Sequence, residues 1–367
     1  MSKTSIDIFN RCERRYALQY LYWFAPVDKS VQRDFKFQGK LMAQEALAGQ
    51  IVDDVITGAI RRYVEKREWP SANGWMKAAR VFYGDYLEKT ERVLEAYESG
   101  REYPTTEDSE NSRKSDRQPL LRLFFREPMT PREEAEMWLH IEKCLSNFLE
   151  SGILDRIGEY PVEQWKPPKV GVVPWFVHNG IPIYSKYDFA IHSPEETWIF
   201  DWKTGKPGPW AERDARRQLH TYALFAREKW GADLDRTRLS AVWLATGPDC
   251  LHEEPVSTDV ISDLERTWED RIVELRRRLR LVKSKTADLF QLFPTSGFPK
   301  ECSRCNFRAC DMYPLAQAAA GETEPDATAS EEAEPAEPAE PARKKRKPKG
   351  TLQSAADATA DVREPTE

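Results

Sequence analysis

Long apolar runs are missing from this chain. No stretch of its 367 residues reaches the roughly 20 apolar residues needed to cross a bilayer. Met1-Ser2-Lys3-Thr4 does not lead into the apolar core of a signal segment. The expectation is a soluble cytoplasmic protein, nuclear if the host is eukaryotic, with no membrane partner. Cysteine is scarce: six in this length cannot make a disulfide scaffold. Histidine is scarcer, and the five (His140, His178, His192, His220, His252) form no ligand spacing, so each reads as structural or exposed. A G-x-x-x-x-G-K-[ST] phosphate loop is absent, which excludes an ATP-driven motor within the chain. A G-x-S-x-G elbow is absent too, which removes that hydrolase class.

What remains is enough to fold. Hydrophobic residues make up 40% and charged residues 32%, with 12 Trp, 13 Tyr and 16 Phe. The net charge of −6 argues, for the whole chain, against a nucleic-acid partner. Composition changes abruptly after Leu315, however. Residues 316–367 are rich in Ala, Glu and Pro, almost without large apolar side chains, and carry a basic run at 343–349. Such a segment has nothing to offset the entropy of ordering, so a disordered tail is expected. It holds 12 acidic and 7 basic residues, leaving 49 acidic against 48 basic in residues 1–315. The body is thus nearly neutral. The basic run reads equally as a nucleic-acid contact, a nuclear-import signal or solvated charge.

Periodicity then orders the body. Ser5 to Phe24 reads as a short helix carrying aromatics and Arg11, Arg14 and Arg15. Leu47, Ile51, Val55, Ala59 and Tyr63, spaced by four, predict an amphipathic helix over 41–66. Further helices are expected at about 75–98, 131–150, 210–230 and 265–285, with a polar loop at 104–119. VGVVPWFV, IPIYSKYDFAIH, TWIFDWKTG and RLSAVWLAT read as strands, with turns at His178-Asn179-Gly180 and His192-Ser193-Pro194. The fold class is therefore α/β: a short mixed sheet flanked by helices.

Chemistry concentrates between Ile181 and Lys203. Side chains two apart on a strand share a face, so Asp201 and Lys203 project together while Trp202 points away. Asp188, at the end of the preceding alternating run, can lie opposite them. Two carboxylates beside an ammonium suit a divalent metal, with Lys203 placed to offset charge developing on a phosphodiester. On the next helix Gln218 and Tyr222 are four apart and share one face. Glu163 is a weaker candidate for a site carboxylate. Cys302, Cys305 and Cys310 fall within nine residues as C-x2-C-x4-C, which points to zinc or an iron–sulfur cluster with a distant fourth ligand. Cys144 and Cys250, each isolated, read as core residues.

Asp188, Asp201-Trp202-Lys203-Thr204-Gly205 and Gln218…Tyr222, in that order, resemble the RecB-like branch of the PD-(D/E)XK nuclease superfamily, as in AddB-type and CRISPR-associated exonucleases. SIDIFNRCERRYALQYL (5–21) resembles its N-terminal segment, and FPTSGFPKECSRCNFRAC (293–310) its C-terminal cysteine segment. The resemblance implies a restriction-endonuclease-like core over residues 1–315, with a helical insertion at about 66–158 and a cysteine segment at 293–313. It implies that Asp188 and Asp201 bind Mg²⁺ or Mn²⁺, joined by the Trp202 carbonyl, that Lys203 is catalytic, and that Gln218 and Tyr222 support it. Members often carry a metal-binding His four residues after a Gly on the early helix. Here Gly49-Gln50-Ile51-Val52-Asp53 puts Asp53 in that place. The resemblance also implies a [4Fe–4S] cluster on Cys12, Cys302, Cys305 and Cys310, with zinc the alternative, although the last cysteine gap is one residue shorter than is usual.

The expected activity is metal-dependent hydrolysis of DNA, as an exonuclease on single-stranded or free ends in repair, recombination or mobile-element processing. The rivals are a non-catalytic DNA-binding or scaffold subunit beside a helicase or recombinase, and a zinc-bearing RNA nuclease.

Overall fold

The computed structural model describes residues 2–104, 117–169, 172–296, 302, 305–308 and 310. The expected tail at 316–367 with its basic run at 343–349, most of the polar loop at 104–119, and parts of the cysteine segment lie outside the described residues. Among those described, eleven α-helices and two β-sheets form a mixed α/β fold that is mostly helical. No described helix is long and apolar enough to cross a membrane.

The centre is the strand TWIFDWK (β4, Thr197–Lys203), preceded by β1 (Trp175–His178), β2 (Ile181–Tyr184) and β3 (Phe189–His192), and followed by β5 (Thr237–Trp243) and β6 (Leu251–Pro255). β3, β4, β5 and β6 make one sheet in that order, with β4 and β5 parallel and both outer pairs antiparallel. Every residue of β4 except Lys203 is buried, as expected of a strand covered on both faces. Trp198, Phe200 and Trp202 enter one apolar cluster, and Ile199 enters the other.

Helices supply the two covers. Upstream are α1 (Lys3–Arg11), α2 (Glu13–Tyr20), α3 (Lys29–Gln38), α4 (Gln44–Lys66), α5 (Ala72–Glu98), α6 (Leu121–Phe124), α7 (Pro131–Glu150) and α8 (Ile153–Gly158). Leu47, Ile51 and Val55 of α4 pack with Tyr86 of α5, Phe148 of α7 and the Trp202 face of β4. Thr130 and Glu133 close a capping box at the start of α7, with Pro131 at the first helical position. Cys144 and Cys250 are buried in this cluster, as isolated cysteines should be. α9 (Pro209–Trp230) crosses from β4 to β5 and ends at Gly231, whose φ of +72° is the left-handed cap that glycine favours. Leu219, Tyr222 and Ala223 of α9 and Trp268 of α10 (Thr258–Lys283) cover the second face.

Three expectations are corrected. The early helix is broken at Cys12, an extended residue whose sulfur accepts the Arg15 N–H at 3.4 Å and so caps α2. IPIYSKYDFAIH is two strands rather than one: β2 pairs with β1 around the Asn179-Gly180 turn, while β3 pairs with β4. Both turn residues have positive φ, as a tight hairpin requires. The long basic helix starts at Thr258, not near 265, because Ser257 caps it through the Val260 N–H.

A third apolar cluster joins distant segments. Phe9, Leu18 and Phe35 pack with Leu289 of α11 (Leu289–Leu292), Phe293 and Phe307. Arg14 fastens the junction, its backbone N–H donating to Pro294 O at 2.9 Å, Nε to Phe293 O at 2.9 Å and a terminal nitrogen to Phe290 O at 3.0 Å.

Candidate active site

Register places the chemistry. Phe189 pairs with Phe200, which sets Asp188 opposite Asp201 at the open end of β4. The Trp202 N–H donates to Asp188 Oδ2 at 2.7 Å, so the two strand ends are locked through the carboxylate itself. Asp201 is 1% exposed, and its Oδ2 lies 2.6 Å from Lys203 Nζ. Lys203 Nζ in turn donates to Gln218 Oε1 at 2.8 Å, and Gln218 Nε2 donates to the Tyr222 hydroxyl. Asp188, Asp201, Lys203, Gln218 and Tyr222 therefore stand together, linked in one chain of contacts. Trp202 turns away as its alternation predicts, its ring packing on Phe148 at 5.3 Å between centroids.

Asp53 arrives from α4. A Cβ at Gly49 would lie 2.7 Å from Thr204 Oγ1, so any larger residue there would make the Thr204 hydroxyl turn or the helix withdraw from the residue after Lys203. Asp53 is one turn further on and shares that face. Gln50 Nε2 and Thr57 Oγ1 donate to it at 3.2 and 3.3 Å, and Lys186 Nζ lies 3.6 Å from its Oδ2. Glu163 is not brought here: it is exposed and pairs with Arg67 at 3.5 Å.

The carboxylates feel one another. Burial, then Asp53 and Asp201, hold the Asp188 carboxyl well above the usual range, against the pull of Lys203 and the Trp202 N–H. Burial also raises Asp53, opposed by Lys186 and reinforced by Asp54. Burial alone would lower the Lys203 ammonium, but Asp201, Asp188 and Asp214 outweigh it and the net shift is upward. The Tyr222 phenol is pushed far up by burial and by Asp201 and Asp188, so it stays a neutral hydroxyl.

This donor set fits a hard divalent cation. Asp201 Oδ2 is buried with the Lys203 ammonium at 2.6 Å as its partner, and the carboxyls of Asp53, Asp188 and Asp201 outnumber the ammoniums of Lys186 and Lys203 beside them. Among the described residues, no three His, Cys, Asp or Glu side chains stand already converged on a common metal position.

Sequence reasoning missed the support around Asp53. Lys186 lies two residues before Asp188, a spacing that marks a shared face and was the available signal. Asp54 accepts from Tyr86 OH at 2.8 Å and from Arg117, whose guanidinium stands over the Phe82 ring at 4.6 Å. Nothing in a linear pattern joins positions 54, 86 and 117.

The cysteines gather more loosely. None of the six is in a disulfide. Cys302 is buried, while Cys12, Cys305 and Cys310 are half-buried. Burial pushes the Cys305 thiol up, and the neighbouring Cys12 and Cys302 push it further. Three of the four cysteines therefore share one neighbourhood, and their soft sulfur donors suit zinc or iron–sulfur chemistry.

No curated protein matches this sequence. The family model of the PD-(D/E)XK nuclease superfamily matches residues 1–310, and the chain, with its acidic strand end and lysine already in place, belongs to that superfamily.

Proposed function

We propose that the protein is a metal-dependent DNA nuclease of the RecB-like branch, acting as an exonuclease on single-stranded ends during repair, recombination or mobile-element processing. The carrying observation is the Asp201–Lys203 contact at 2.6 Å with Asp188 opposite, at the open end of a buried strand. Asp53, Asp188, Asp201 and the Trp202 carbonyl are the groups that hold Mg²⁺ or Mn²⁺. The ion, when bound, supplies Lewis-acid charge and a water of lowered pKa. Lys203, steered by Gln218, offsets charge developing on the attacked phosphodiester. Tyr222, neutral at all working pH, fixes the orientation of the Gln218 amide. Residues 1–315 form the nuclease unit in this reading, with the segment at about 66–158 as a helical elaboration.

Cys12, Cys302, Cys305 and Cys310 hold a [4Fe–4S] cluster, or zinc, that ties the two ends of the unit together. A helicase or recombinase is the expected partner.

The test is cleavage of end-labelled single- and double-stranded DNA with Mn²⁺. Asp201→Asn and Lys203→Met should each reduce the rate by roughly 10²- to 10⁴-fold while leaving the fold intact. A wild type that binds DNA and cuts neither substrate is instead the non-catalytic subunit. Anaerobic purification with iron and zinc analysis decides the cysteine site: brown protein with about four irons per chain supports the cluster, and a colourless zinc protein refutes it.

A further inference from the structure

Asp201 and Lys203 do not stand at an edge. Ala241 and Trp243 of β5 are their register partners, and His252 of β6 is the partner of Ala241. Partners in a sheet present side chains to the same face about 4.8 Å apart. The row therefore continues sideways from the candidate site as an apolar floor. Above it lies α9, and between them opens a groove of about 410 Å³, within the range of small-ligand sites. Leu219, the neighbour of Gln218, forms its wall.

The lining favours a flat, neutral, hydrogen-bonding guest over a phosphate. Glu212, Glu253 and Glu254 reach into the groove, and a phosphate there would meet like charge. Arg216, one of the two cations that line it, is already paired with Glu254 at 3.0 Å. Arg213 lines the groove and lays its guanidinium, 4.0 Å from the centroid, over the ring of Trp210, which stands just outside the lining. Trp210 is nevertheless 60% exposed, in the first turn of α9, seven residues after Lys203. A large indole left in water one contact from the groove is a stacking platform: nucleobases stack on it whatever their sequence.

We propose that this groove, extended outward by Trp210 through its stack on Arg213, is the subsite for the nucleobase adjacent to the scissile phosphate. This rests on the nuclease reading above and gives its single-strand preference a seat in the structure, because a base inside a duplex must first leave its stack at a cost of a few kcal/mol.

Binding separates this proposal from cleavage. Anisotropy of a labelled single-stranded oligonucleotide, measured in EDTA, should show Trp210→Ala weakening Kd by roughly 10- to 100-fold. Trp210→Phe should stay within a few-fold of wild type, since a ring is restored. Removing one base at a time from the oligonucleotide should reveal a single position whose loss costs the wild type the same factor and costs Trp210→Ala nothing more. Unchanged single-strand affinity in Trp210→Ala overturns the proposal, as does an abasic penalty that is the same in both proteins. A wild type that shows these binding effects but never cleaves in Mn²⁺ supports the subsite while sinking the nuclease reading.

Discussion

Gly49→Ala tests how closely α4 must approach the candidate site. The added Cβ would stand 2.7 Å from Thr204 Oγ1, closer than such atoms pack, so either the Thr204 hydroxyl turns away or helix and strand end part by several tenths of an ångström. Overpacking of this kind costs about 1–3 kcal/mol. Replacing a helical glycine returns about 1 kcal/mol of helix propensity, so the net loss of stability is about 0–2 kcal/mol. Activity should fall further. Asp53 is one turn from Gly49 and Lys203 is next to Thr204, and misplacement on the scale of 1 Å costs about 10²-fold in rate. Gly58 supplies the control on the same helix: its Cβ would meet only the Phe82 ring, at an ordinary 3.6 Å. Gly58→Ala should therefore gain about 0.5–1 kcal/mol and keep full activity. Urea denaturation and Mn²⁺-dependent cleavage of both variants are the assays, with Thr204→Ala in the Gly49→Ala background expected to recover stability. A Gly49→Ala protein as stable and active as Gly58→Ala would refute the close approach.

His220 should make stability fall on mild acidification. Its Nδ1–H donates to Arg216 O at 2.7 Å and its Nε2 accepts the Ser257 N–H at 2.8 Å, an arrangement only the neutral ring can make. Burial and the Arg216 charge lower its pKa from the ordinary value near 6.5, and Glu254 at 4.0 Å is the facing carboxylate. The stabilisation is complete above about pH 6.5 and is lost as pH drops from there toward the lowered value. Between pH 7.5 and 5.5 the urea midpoint should fall more in wild type than in His220→Gln, and equal falls would exclude the effect. Arg117→Ala leaves Asp54 unpaired in a largely covered position, with the two side chains only 12% and 15% exposed, and should cost about 3 kcal/mol. Asp54→Asn in that background should recover much of it, by the same denaturation assay.

The helices α4, α7 and α9 were legible because burial on one face imposes a period that survives in sequence, and TWIFDWK, covered on both faces, because a short run rich in aromatic and branched residues marks a buried strand. β6 was not: LHEEP lies at a sheet edge, mostly in water, and has no alternation to read. The continuous alternation of IPIYSKYDFAIH concealed a break, since the chain leaves one sheet for another where the Ser185 N–H bonds Pro174 O. In the candidate site, residues on β4 and α9 could be seen because each pair sits within one element. The pairing of Lys186 with Asp53 and of Arg117 with Asp54 depends on chain closure over more than sixty residues, which leaves no local mark.

The cluster fastened by Arg14 bears on how the molecule is made. Phe9, Leu18 and Phe35 leave the ribosome long before Leu289, Phe293 and Phe307, their packing partners. Domains form as units once their chain is available, and apolar surface exposed in the interval invites misassembly. The early helices must therefore wait for nearly the whole of the described chain to be synthesised. Translation that stops before residue 275 leaves them without any of their late partners, from Leu275 to Phe307, a natural point for chaperone engagement.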